Sequence, residues 1–188
     1  MNRRDAIGRV ALILGGTIIG SEFLLSGCKP KTATLSDLFD ADHVAFLNEV
    51  GETILPETSS PGAKAADVGS FMAVMVRDCY LPADQDIFLK GLTKIDEASD
   101  KKFSKKFLDL EAGQRTDLLT DLDKEQKEYT KIKKPEDANH YFRMIKELTL
   151  LGFFTSEPGA TKALRYIAVP GRYDGNLPYK KGDKAWAT

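Results

Sequence analysis

Between Val44 and Gly152 the apolar residues recur at intervals of three and four, and no stretch alternates convincingly with a period of two. That spacing lines apolar side chains along one face of successive α-helices and gives a β-sheet no foothold. Val44, Leu47, Val50 and Ile54 follow Asp42, a candidate cap, and end before Pro56, which cannot continue a helix. Ser59-Ser60-Pro61-Gly62 marks a turn-rich connector. Val68, Phe71, Met72, Met75, Val76 and Cys79 form a second stripe, stopped near Pro82, and Ile87, Phe88, Leu92 and Ile95 a third after Asp84. The charged run Asp100–Lys106 reads as a bend. Phe107 and Leu110 lead into a fourth stripe of Leu118, Leu119 and Leu122, whose continuation, Asp123–Lys134, is nearly all charged. There Lys124, Glu125, Lys127 and Glu128 mix signs as a solvated helix face does. Tyr141, Ile145, Leu148 and Gly152 close the series. The expectation is an all-α fold: a single compact bundle of about five helices over residues 35–170, then an irregular tail over 171–188.

The first residues follow a different logic. Arg3, Arg4 and Arg9 precede Val10–Leu25, an apolar stretch broken only by Glu22, which is the layout of an export signal. The run is short for a membrane span, which needs about 20 apolar residues. The adjacent Arg3 and Arg4 resemble the twin-arginine signal, although Ala6-Ile7 stands where Phe-Leu is usual. An ordinary secretion signal with two neighbouring arginines is the alternative. Leu25-Ser26-Gly27-Cys28 resembles a bacterial lipobox, which implies cleavage after residue 27, acylation of Cys28 and a tether over 28–34. Lys29 is not the Asp that retains such proteins at the inner membrane, so a periplasm-facing anchor in the outer membrane is the favoured placement. Gly15-Gly16-Thr17-Ile18-Ile19-Gly20 lacks the glycine spacing and strand–helix context of a dinucleotide fingerprint. With Cys28 acylated, Cys79 has no intrachain partner; it is expected as a buried small hydrophobe, with an intermolecular disulfide as the other reading. A formal net charge of −1 offers no electrostatic case for nucleic acid.

No catalytic constellation emerges. His43 and His140 are the only histidines, and neither has a second ligand-type residue at metal spacing on its own helix. A lone His at a helix start, as His43 is, more often caps or faces solvent than acts as a base. Haem-attachment, Walker, Gly-x-Ser-x-Gly and His-Glu-x-x-His patterns are all missing. Paired carboxylates remain open as acid and base, because spatial pairing is invisible in sequence. The expectation is therefore no catalytic, cofactor-binding or metal-ligating residue in this chain.

Two stretches are more particular than a generic bundle requires. One is Glu52-Thr53-Ile54-Leu55-Pro56 leading to Pro61-Gly62-Ala63 and Asp67-Val68. The other is Leu151-Gly152-Phe153-Phe154-Thr155-Ser156-Glu157-Pro158-Gly159, followed by Tyr166–Gly175. In this order the chain resembles the small, third or gamma, subunit of the gluconate 2-dehydrogenase family. The resemblance runs from about Leu35 to Tyr179, is strongest in the Gly-Phe-Phe-Thr-Ser block, and is weakest over Asp96–Asp137. It implies an accessory subunit without a redox group, which binds, helps mature and helps export a large FAD-dependent flavoprotein of the glucose-methanol-choline type. That partner oxidises a sugar, sugar acid or polyol, and electrons commonly pass on to a cytochrome c subunit carrying haem c. A lipid anchor is implied for some relatives only. A stand-alone lipoprotein binding module is the alternative, and a small hydrolase or isomerase built on scattered carboxylates is a third reading. Phe153 and Phe154 point about 100° apart on a helix, so they do not share the centre of one core-facing stripe. With Tyr173, Tyr179 and Trp186 of the tail they are the candidate partner interface, the alternative being a tail folded back over its own bundle.

Overall fold

The structure, a computed structural model, describes residues 38–169 and 171–187. The readings at Arg3, Arg4 and Cys28 fall outside those residues. Five α-helices appear among them: α1 (Ala41–Ile54), α2 (Val68–Cys79), α3 (Pro82–Phe103), α4 (Ala112–Ile132) and α5 (Tyr141–Thr155). Short 3-10 turns at Lys64–Ala66 and Phe107–Asp109 precede α2 and α4, and a π-helical turn at Gly159–Ala163 follows α5. The fold is all-α, as expected.

Helix α5 is the hub and touches the other four. Its sequence says why: Phe142, Met144, Ile145, Leu148 and Phe153 are all buried, leaving Glu147, Leu151, Phe154 and Thr155 as its exposed residues. Phe46, Leu47 and Val50 of α1, Met72 and Val76 of α2, Phe88 and Ile95 of α3, and Leu118, Leu119 and Leu122 of α4 complete the core. Burying each such side chain contributes about 1.5–3 kcal/mol. Small residues let the helices close. A Cβ on Gly69 would lie 2.4 Å from the Val44 carbonyl oxygen, one on Gly91 2.6 Å from Tyr141, and one on Gly152 2.6 Å from the Phe71 ring. Any larger residue there would prise apart α1 and α2, α3 and α5, or α2 and α5.

Three local expectations are corrected. The cap of α1 is Asp40 rather than Asp42: its carboxylate accepts from the His43 amide at 2.8 Å, and His43 Nδ1 accepts in turn from the Asp40 amide at 3.5 Å. The Asp100–Lys106 bend is confined to Ser104–Lys106, because α3 runs on to Phe103, which packs against the core. Ser104 then ends the helix in the left-handed region, with φ 54°. Cys79 is exposed, not buried. It is the last residue of α2, where the chain swings through Tyr80 and Leu81 into Pro82. Gln85 reaches back across that corner and donates to the carbonyls of Val76, Arg77 and Tyr80 at 3.0–3.2 Å, capping the end of α2.

Candidate partner interface

The two particular stretches of sequence are both corners, and they meet. In the first, Glu52 near the end of α1 folds the connector around its carboxylate, which accepts from the amides of Glu57 and Lys64, each at 2.8 Å. Gly62 lies directly over that carboxylate, where a Cβ would come within 2.3 Å. Ala63 donates to the Leu55 carbonyl at 2.9 Å and is fully buried. Asp67 holds φ 47° and is tied to α1 by Asn48, whose Nδ2 donates to it at 2.9 Å while its Oδ1 accepts from the Gly69 amide at 2.8 Å. Glu49 adds an ion-pair node, joined to Lys64 and, at 2.7 Å, to Arg115 on α4. The Lys64 hydrogen bond and, against burial, that of Arg115 hold the Glu49 carboxyl below the usual range.

In the second corner, α5 stops at Ser156. The Ser156 amide and hydroxyl both donate to the Phe153 carbonyl, at 3.1 and 2.6 Å, and the hydroxyl oxygen accepts from the Gly159 amide at 3.1 Å. Gly159 has no room for a side chain: a Cβ would sit 1.8 Å from the Phe153 carbonyl oxygen. The Gly-Phe-Phe-Thr-Ser-x-Pro-Gly block is thus a stop and a turn that aims the following chain. Glu57–Pro61 and Ala65 of the first corner face Glu157, Pro158 and Lys162 of the second across an open groove of about 540 Å³.

Beyond the groove the chain forms a closed loop. The Arg165 amide donates to the Ala185 carbonyl at 2.8 Å and the Ala187 amide to the Arg165 carbonyl at 2.9 Å, a lone parallel bridge among the described residues. The Arg165 guanidinium lies 4.6 Å from the Trp186 ring, and Lys184 Nζ donates to the Lys162 carbonyl. Of the expected interface residues, Phe153 is core at 4% exposure, while Phe154 is 40% exposed beside it. Tyr173 and Tyr179 stand out at 95% and 78%, and Trp186 is half-covered by its own clasp. The loop therefore brings Tyr173, Tyr179 and Trp186 into one segment, with Phe154 on the helix that leads to it.

Sequence reasoning singled out the stretch that holds Glu52 without giving that residue a role, and it missed Arg165. An acid one turn before Pro56 was the available signal for the first. For the second, the signal was charge taken by segment rather than over the whole chain.

Among the described residues no three His, Cys, Asp or Glu side chains gather to hold a metal ion, and no helix is long and apolar enough to cross a membrane. The family model described as gluconate 2-dehydrogenase subunit 3 matches residues 41–171, which take in all five helices and both corners. No curated protein and no solved structure matches the chain. The family match spans well over half the sequence, and the chain belongs to the gluconate 2-dehydrogenase subunit 3 family.

Proposed function

We propose that this chain is the non-catalytic accessory subunit of a periplasmic dehydrogenase complex, and that it binds, helps mature and helps export an FAD-dependent large subunit of the glucose-methanol-choline type. The family match over residues 41–171 carries the reading. FAD belongs to the large subunit and haem c to a cytochrome c subunit; this chain supplies neither. Arg3 and Arg4 provide the twin-arginine signal for both proteins, since a flavoprotein folded around its cofactor needs a route for folded cargo. Acylated Cys28 holds the complex on the periplasmic face of the outer membrane, each buried acyl CH₂ adding about 0.8 kcal/mol. The test is purification of the tagged full-length chain in mild detergent, followed by an absorbance spectrum and an intact mass. Flavin bands in stoichiometric amount and a chain that begins at acylated Cys28 support the proposal. A preparation without a flavoprotein refutes the accessory role, and an intact Met1 in membrane fractions refutes the anchor.

A further inference from the structure

The charge of this protein is unevenly divided. Residues 38–161 carry twenty-three Asp or Glu against sixteen Lys or Arg, whereas residues 162–187 carry six Lys or Arg against Asp174 and Asp183 alone. Both of those acids are engaged inside the loop. Asp174 accepts from the Asn176 amide at 3.1 Å, and Asp183 accepts from the Lys180 amide at 2.9 Å and lies 3.9 Å from Arg165. Lys180 and Lys181 pair with no carboxylate of the described residues. The loop thus presents cations and aromatic rings outward while its carboxylates shape its own turns. Its closure at Arg165 and Trp186 fixes much of that shape before any partner arrives, which lowers the ordering cost of binding.

We infer that the clasped loop 165–187 is a preorganised docking element for an acidic face of the flavoprotein subunit, with Lys180 and Lys181 selecting the face and Tyr173 and Tyr179 anchoring on it. The inference rests on the accessory-subunit reading and deepens it. The position of the loop favours a protein over a lipid surface as its occupant. The described residues begin at Leu38, just before the start of α1. The base of the loop meets the body beyond the other end of α1, where Lys184 reaches Lys162 beside the groove lined from Glu57 onward. Fourteen helical residues separate the two ends, about 21 Å. The first described residues and the base of the loop thus lie at opposite ends of α1. The family match ends at residue 171, so most of the loop lies outside the shared region and serves recognition particular to this chain's complex.

The test uses the full-length chain and the flavoprotein isolated with it. Three variants are compared with wild type: Lys180→Glu with Lys181→Glu, Lys180→Arg with Lys181→Arg, and Trp186→Ala. Charge reversal should weaken binding at least tenfold and flatten its salt dependence. The arginine pair should bind like wild type, and Trp186→Ala should weaken binding without moving the melting temperature. Wild-type affinity in the charge-reversed chain, or wild-type binding indifferent to salt, overturns the inference and leaves the accessory role standing. A wild-type chain that retains no flavoprotein overturns both. Vesicles of phosphatidylglycerol and phosphatidylcholine provide the remaining arm. If they bind wild type but not the charge-reversed chain while flavoprotein affinity stays equal, the occupant is the membrane and the inference fails.

Discussion

His140 shows what a single residue does in this bundle beyond filling space. Its Nδ1 accepts from the Phe142 amide at 3.3 Å as the cap of α5, and its ring lies 4.4 Å from that of Tyr141. Burial pushes its pKa below the ordinary value, opposed by the Glu125 carboxylate 3.5 Å from Nε2. A depressed folded pKa means the unfolded chain takes up the proton first. The stability that neutral His140 contributes is whole above its unfolded value of about 6.5 and is lost as pH falls through the folded value. The urea midpoint should therefore drop on acidification from pH 7 toward 5, and His140→Asn, which caps without titrating there, should remove that slope. An unchanged slope in the variant would show that other groups set it. Little of this was legible in the sequence: His140 stood out only as one of two histidines, because a cap is visible by residue type but its burial depends on Tyr129 and Tyr141 closing around it.

At the scale of elements, helix existence followed from periodicity, and helix ends did not. The third helix runs through a stretch rich in charge because Phe103 finds the core and Ser99 donates to the Lys105 carbonyl at 2.7 Å, neither of which the local pattern announces. Its end at Ser104 places a side chain in the left-handed region, so Ser104→Gly should stabilise the protein by about 0.5–1 kcal/mol in urea unfolding. The corner after α5 answers in the opposite sense. Gly159→Ala should destabilise by about 2 kcal/mol or more, because the Phe153 carbonyl belongs to the helix at the centre of the bundle and cannot move aside. If both variants melt with wild type, the closeness of the Phe153–Gly159 contact and the strain at Ser104 are both immaterial. The two particular sequence stretches were legible as special. That they specify corners, and that the corners meet, required the fold.

For the whole molecule, the tail and the bundle are separable in energy. Among the described residues no hydrophobic core residue lies beyond Phe153, and from the segment that follows only Ala163 packs partly against the core. Truncation after Gly171 should leave the thermal midpoint within about 2–4 °C of wild type, since it removes no buried apolar residue. The same truncation should abolish flavoprotein retention; a truncated chain that unfolds would instead make the loop part of the fold. The candidate interface was half legible beforehand. Aromatics in an irregular tail were plain, but Phe153 was drawn into the core by its helical position, and the Arg165–Trp186 closure joins residues too far apart for any local pattern to link. The segregation of charge has one more consequence. A bundle rich in carboxylates with a basic loop at one end carries a large electric dipole, and a dipolar molecule turns in the field of an approaching charged surface before the two touch. Orientation during the encounter is thereby biased, so the association rate constant should fall steeply with ionic strength while the dissociation rate constant barely changes.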